Sequence, residues 1–192
     1  MRLAWGRDIS AGTEAESHEE RKITAMKPTA IVYSSNTGHT RQYALLLGEK
    51  IGLPVYSLEE AASQLLGGSP VIYMGWLYAS HVKGYSRAAR RFAVQAVCGV
   101  GLCDTGTLIN EVRKATVIPQ DMPLFTLQGG MERSRLKGVD KLLIAMLTKS
   151  LAAQKQRSPQ DERMLELLNG DESHVQSENL AGILDWYART QL

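Results

Sequence analysis

A short polar run contains the residue types that could bind a phosphate group. Three hydroxyl side chains alternate there with small or turn-forming residues, in the order Ser35, Asn36, Thr37, Gly38, His39 and Thr40. Amide N–H groups at the start of a helix attract an anion, and hydroxyls donate further hydrogen bonds to it. The run has no lysine or arginine and neutralises little charge. It suits a terminal phosphate held by hydrogen bonds; the alternative is an ordinary capped helix start.

A second run could hold the flat part of a ligand. Residues 75–85 follow an apolar stretch and contain two glycines and three aromatic side chains. Glycine allows a backbone to approach a ligand closely, and rings with a polar edge stack well on a flat molecule. The alternative is that Trp76 and Tyr78 only cover the end of a sheet.

The apolar pattern predicts strands that would position both runs. Short apolar segments alternate with helical patterns and lie at residues 30–33, 53–56, 71–74, 97–102 and 124–127. This alternation predicts βαβ units and a parallel sheet within an α/β fold. Open α/β sheets bind ligands at the carboxyl ends of their strands. The two runs should therefore lie side by side at that edge.

Other phosphate and catalytic motifs are incomplete. A P-loop needs Gly-Lys-Ser/Thr after a strand, which the sequence lacks. A dinucleotide fingerprint beginning at Gly99 fails because Asp104 occupies the position of its third glycine. A receiver domain would have an acidic residue where Ser35 stands. The near match to a nucleophile elbow around Ser86 follows a loop instead of a strand.

Composition indicates one globular domain of balanced charge. The 192 residues are 44% hydrophobic and 22% charged, with a net charge of +2. This balance does not favour nucleic acid as a partner, and no segment reaches the roughly 20 apolar residues of a membrane-spanning helix. Two cysteines and four histidines form no disulfide framework and predict no metal site. We expect a cytoplasmic protein with reduced thiols, although Cys98 and Cys103 could form a redox pair.

The first 25 residues differ from the rest. They carry four basic and five acidic residues without clear periodicity, so the remaining chain has a net charge of +3. We expect residues 1–25 to be a disordered or non-native head, with an ordered cap or partner arm as the alternative. Residues 26–192 would form a single domain that ends in extra helices.

The two runs together resemble a known family. Residues 35–40 are similar to the Ser/Thr-x-Thr-Gly-x-Thr phosphate loop of flavodoxins. Residues 74–84 resemble the flavin-ring loop of the flavodoxin-domain subfamily that includes menaquinone-dependent protoporphyrinogen oxidases. Residues 123–130, with Leu136 and the apolar helix behind it, also resemble that subfamily. The resemblance spans about residues 27–153.

The resemblance implies a flavodoxin-like three-layer sandwich whose five parallel strands have the order 2-1-3-4-5, with FMN as cofactor. Residues 35–40 would hold the 5′-phosphate. The flavin ring would be bordered by Gly75, Trp76, Leu77, Tyr78 and Ala79 on one side and by Gly101, Leu102, Cys103 and Asp104 on the other. The protein would orient the ring, and the flavin would supply the redox chemistry. Electron-carrying flavodoxins are strongly acidic, unlike this chain, and no catalytic residue follows from the resemblance.

The remaining polar residues have open interpretations. His39 could approach the phosphate or be an exposed loop histidine, and His81 could donate protons near the ring. A first basic cluster, comprising Arg87, Arg90 and Arg91, could receive an acidic electron partner or be a solvated helix face. A second, comprising Arg133, Arg135, Lys137 and Lys141, could contact an anionic substrate or a membrane surface. A homodimer is also open.

Three functional hypotheses follow. The first is an FMN-dependent oxidoreductase that passes electrons through flavin to a small-molecule or quinone-type acceptor. The second is an FMN electron-carrier module that docks to a protein partner. The third is a domain without flavin that serves as an interaction module. The electron donor and acceptor are not identified by the sequence.

Overall fold

The computed structural model describes residues 26–130, 138–154, 156, 158–170 and 172–190. The predicted head at residues 1–25 lies outside them, as do Arg133, Arg135, Leu136 and Lys137. Within these residues the strands are β1 (Ala30–Ser34), β2 (Val55–Ser57), β3 (Pro70–Tyr78), β4 (His81–Val82), β5 (Ala93–Gly101) and β6 (Leu124–Gln128). The helices are α1 (His39–Ile51), α2 (Leu58–Gln64), α3 (Tyr85–Arg91), α4 (Ile109–Thr116), α5 (Gly138–Ala152), α6 (Pro159–Asn169) and α7 (Ala181–Arg189).

The sheet is mostly parallel. Its strands lie in the order β2-β1-β3-β5-β6, and all four neighbouring pairs along this path are parallel. Strand β4 lies off the path and pairs antiparallel with β3. The α/β class with a parallel sheet is thus confirmed. The order differs in detail from the predicted 2-1-3-4-5 because β4 was not predicted; two residues are too few to show a period.

Helices cover both faces of the sheet. Successive side chains of a strand point to opposite faces, so neighbours in β1 enter different cores. Val32 packs with residues of α2, α3 and α4, whereas Ile31 packs with residues of α1 and α7. Central strand β3 is buried over five consecutive residues, as its continuous apolar character predicts. This burial fixes the sheet and therefore the relative positions of the loops at its carboxyl edge.

Local sequence signals set several helix ends. Ser57 begins α2 with a capping box, because its side chain accepts from the Glu60 N–H and the Glu60 carboxylate accepts from the Ser57 N–H. Ser158 makes the same reciprocal pair with Asp161 at the start of α6, where Pro159 occupies the first turn. Helix α6 ends at Asn169, before Gly170. None of the described helices is both long and apolar enough to cross a membrane.

Candidate functional site

A cavity of about 640 Å³ opens at the carboxyl edge of the sheet. The segments after β1, β3, β5 and β6 all contribute to its wall, and helices α5 and α6 contribute from the other side. Of the residues predicted for the site, it is lined by Asn36, Thr37, His39, Thr40, Trp76, Leu77, Tyr78, Ala79, Gly101, Cys103 and Asp104. Ser35, Gly38 and Gly75 do not line it. The structure therefore brings the two predicted runs together around one cavity.

The polar loop between β1 and α1 is organised by its own hydrogen bonds. The Ser35 Oγ accepts from the N–H groups of Gly38, at 3.2 Å, and Arg41, at 3.4 Å. Gly38 adopts a φ of 108° immediately before α1, in the region that favours glycine. The Ser35 side chain therefore stabilises the loop internally, and Thr37 and Thr40 are among the residues that line the cavity.

His39, the first residue of α1, is buried, and its interpretation as an exposed loop histidine is wrong. Its side chain is 3% exposed, and its Nδ1 lies 3.0 Å from the Thr37 Oγ1. The backbone after β6 covers it: a Cβ on Gly130 would lie 2.9 Å from the His39 Nε2. The sequence concealed this burial because the covering segment is about 90 residues away along the chain.

The aromatic run folds as a β-hairpin between β3 and β4. Tyr78 pairs with His81, so Ala79 and Ser80 form a two-residue loop, with φ values of 45° and 62°. Positive φ at both positions is the requirement of a type I′ turn, which Asn-Gly normally satisfies. This hairpin presents Trp76, Tyr78 and both turn residues to the cavity. The exposed His81 does not line it.

A lysine side chain lies beside the two aromatic rings at the cavity. The Trp76 and Tyr78 ring centroids lie 5.9 Å apart with planes at 67°. The Lys83 Nζ lies 5.9 Å from the Trp76 centroid and 5.6 Å from the Tyr78 centroid, within range of a cation–π interaction. Gly75 permits this arrangement, because a Cβ there would be 2.6 Å from the Lys83 carbonyl oxygen. Gly75 thus accommodates the folded hairpin instead of facing a ligand.

The segment after β5 forms the opposite wall and carries a thiol. Cys103 faces the cavity, whereas Cys98 is fully buried in the core; both are free cysteines. Partial burial raises the pKa of the Cys103 thiol, the neighbouring Asp104 carboxylate raises it further, and the Arg163 guanidinium opposes both. The Asp104 Oδ1 accepts from the Arg163 Nη2 at 2.8 Å, which joins this wall to α6.

Most of the apolar lining was not predicted from the sequence. Leu102 lies in the predicted wall and Ser80 in the second run, but the other additional lining residues are scattered along the chain: Val100, Thr107, Leu108, Val112, Thr126, Leu127, Gly130, Ile144, Met164 and Leu168. The family resemblance pointed to the region of Thr126 and Gly130 without assigning them to the site. No local signal marks Ile144, Met164 or Leu168, because ordinary core residues of an amphipathic helix have the same spacing.

The lining of the cavity combines hydroxyl groups at a helix start, two aromatic rings and several aliphatic side chains, so it can hold a ligand that has a polar part and a flat or apolar part. We call residues 36–40 the polar end of the lining and its aliphatic residues from Leu102 to Leu168 the apolar end. No cluster of three or more His, Cys, Asp or Glu side chains suited to a metal ion occurs among the described residues. Comparisons with protein-family models, curated proteins and solved structures find no match to the chain.

Proposed function

We propose that the protein is a flavodoxin-like, FMN-binding oxidoreductase that passes electrons through flavin to a small-molecule or quinone-type acceptor. One observation carries the proposal: a single cavity connects the hydroxyl-rich loop before α1 to the rings of Trp76 and Tyr78. A phosphate and a flat ring system in one ligand need this combination of surfaces.

The polar end has suitable donors for the FMN phosphate. Thr37 and the buried Thr40 line the cavity at the start of the 13-residue helix α1, whose positive end favours an anion. The absence of lysine and arginine between residues 35 and 40 suits recognition by hydrogen bonds. Asn36 and His39 complete the lining at this end. These residues would bind and orient the phosphate.

The aromatic hairpin has suitable surfaces for the ring. Trp76 and Tyr78 offer aromatic area, and the neighbouring strand β5, whose Val100 pairs with Trp76, adds Val100 and Gly101 to the lining. Because strands β3 and β5 are buried, both walls are attached to rigid elements, which favours a fixed ring position. FMN would supply transfer of electrons or hydride; the chain would orient the ring and exclude water from it.

Uptake of FMN is the first test. The purified protein is expected to show the visible absorption of bound flavin, or to acquire it when FMN is added. A colourless protein that takes up no added FMN would contradict the proposal and leave the interaction module. Flavin that cycles with protein donors but reduces no small acceptor would favour the electron-carrier module.

Removal of the hydroxyls tests the polar end. Thr37→Ala and Thr40→Ala should each weaken FMN about tenfold or more, because each removes a hydrogen bond to a charged group. Riboflavin, which lacks the phosphate, should be affected little. Thr29→Ala is the control, since its hydroxyl donates to the Pro70 carbonyl away from the cavity. Equal weakening of FMN and riboflavin would refute the phosphate role.

A further inference from the structure

The ammonium group of Lys83 lies beside both aromatic rings of the cavity lining. Its Nζ is 5.9 Å from the Trp76 ring centroid and 5.6 Å from the Tyr78 ring centroid, although Lys83 itself does not line the cavity. We propose that Lys83 sets the electron affinity of the flavin, because its positive charge stabilises the reduced ring more than the oxidised ring. The inference rests on the proposed function and adds to it the residue that regulates the redox potential of the site.

The backbone of Lys83 is fixed on both sides. Its N–H donates to the Trp76 carbonyl oxygen at 3.0 Å, and its carbonyl oxygen accepts from the Tyr73 hydroxyl at 2.7 Å. Tyr73 is fully buried in β3, so this anchor belongs to the core of the sheet. A Cβ on Gly84 would collide with the Tyr73 hydroxyl, which shows how closely the chain packs here. The lysine side chain therefore extends toward the rings from a defined position.

The charge of Lys83 is not neutralised by a neighbouring carboxylate. Within the part of the chain that the structure describes, no carboxylate lies within ion-pair distance of its ammonium group. Asp104, the acidic residue in the described lining, is already paired with Arg163. Lys83 therefore contributes a positive potential at the aromatic part of the lining.

A positive potential at this position favours the reduced form of a bound flavin. A pair of electrons and a proton convert the neutral FMN ring into an anion above neutral pH. Protein charges near the ring are among the groups that tune the electronics of a flavin. Because Lys83 is exposed, water and salt weaken its attraction for this anion. We expect it to favour the reduced over the oxidised form by about fivefold.

The midpoint potential of bound FMN tests the inference. The protein would be reduced with xanthine and xanthine oxidase beside a reference dye, and the two absorption changes compared. Lys83→Gln should weaken reduced FMN about fivefold relative to oxidised FMN, which lowers the midpoint potential by about 20 mV for a two-electron couple. Lys83→Arg keeps the charge and should keep the potential. The difference between Lys83→Gln and the unchanged protein should shrink at high salt, since salt screens an exposed charge.

A lysine far from the rings provides the matched control. Lys50 lies in the last turn of α1, about 15 Å along the helix from His39, which lines the cavity. Lys50→Gln removes the same charge and should leave the potential unchanged. An equal fall in potential for Lys50→Gln and Lys83→Gln would overturn the proposal, because net charge alone would then explain it. Lys83→Met is a second neutral variant should Lys83→Gln fold poorly.

A merely structural role for Lys83 predicts a different result. Loosened rings would weaken oxidised and reduced FMN alike, and equal weakening leaves the midpoint potential where it was. An unchanged potential in both neutral variants, or the loss of all FMN binding in both, would therefore overturn the electrostatic role.

The order of the measurements separates the two proposals. FMN uptake is recorded first, by visible absorption. A protein that takes up no FMN overturns the proposed function and the role of Lys83 with it. Normal uptake with equal potentials overturns the role of Lys83 alone and leaves the proposed function standing.

Discussion

The two ends of the cavity are built in different ways. The polar end comes from consecutive residues, 35–40, whose loop is held by local hydrogen bonds from the Gly38 and Arg41 N–H groups to the Ser35 Oγ. The apolar end comes from residues scattered between Leu102 and Leu168, of which Leu102, Ile144 and Met164 come together by packing against Leu168. Site residues that are consecutive in the chain form a sequence pattern and can be predicted from it. Site residues that are brought together only by tertiary packing form no such pattern.

The largest expected effect is the loss of stability when a buried leucine of the apolar end is truncated. Leu168→Ala should destabilise the fold by about 3 kcal/mol, because Leu168 is 1% exposed and its truncation leaves a void among packed neighbours. Urea denaturation followed by circular dichroism measures the loss. Leu66→Ala is the control, since Leu66 is 84% exposed and should change stability by less than about 0.5 kcal/mol. Equal effects of the two changes would show that α6 does not pack over the cavity.

A smaller loss of stability is expected when the Tyr43 hydroxyl, which links α1 to Gln128, His174 and Asn179, is removed. The buried Tyr43 hydroxyl on α1 donates toward the Gln128 and His174 carbonyl oxygens and accepts from the Asn179 Nδ2 at 2.6 Å. Tyr43→Phe should cost about 2 kcal/mol, because it leaves buried polar groups without this partner. Urea denaturation measures this loss in the free energy of unfolding.

Tyr56→Phe is the control for the Tyr43 variant. Tyr56 is half-buried, and its hydroxyl has no hydrogen-bond partner within the described part of the chain. A loss at Tyr43 no greater than at Tyr56 would mean that the polar loop depends on its local hydrogen bonds alone. The polar end would then depend on local contacts alone, whereas the apolar end depends on tertiary packing.

What could be predicted from the sequence follows this same division. Apolar segments such as residues 71–74 predicted buried strands correctly, because strand burial has a continuous local pattern. The neighbourhood of Thr37, Trp76 and Gly101 followed from the geometry of parallel strands. The burial of His39 and the contribution of Met164 did not, because each depends on a segment distant in sequence. Strand β4 was too short to have a period.

A third and smaller change in stability is expected when the backbone strain of the hairpin is relieved. Ser80→Gly should stabilise the fold by up to about 1 kcal/mol, since it removes the cost of a left-handed serine. Val117→Gly should do the same after α4, where Val117 has a φ of 59° and is 82% exposed. Thermal unfolding should show a rise of about 2–4 °C for each.

Ligand affinity separates these two strain-relieving changes. Ser80 lines the cavity and Val117 does not, so Ser80→Gly should weaken FMN by loosening the aromatic hairpin while Val117→Gly leaves it unchanged. An unchanged FMN affinity in both variants would mean that the strain at Ala79 and Ser80 has no role in binding.

The smallest expected effect is on the Cys103 thiol, which lines the cavity. Burial and the Asp104 carboxylate raise the pKa of Cys103 and Arg163 opposes them, so its thiolate fraction at a given pH is smaller than that of a free cysteine. Asp104→Asn should lower that pKa and accelerate alkylation by iodoacetamide, whereas Arg163→Gln should raise it and slow the reaction. Cys98 is fully buried and should stay unreactive in the folded protein, so Cys103→Ser gives the background rate.

The direction of the two rate changes is what tests the structure. Asp104 and Arg163 form an exposed ion pair, so each change should alter stability by less than about 1 kcal/mol and leave the fold intact. Opposite rate changes would place both charges near the thiol, with α6 closed over the segment after β5. Equal acceleration by both substitutions would instead indicate that the ion pair only limits access to Cys103.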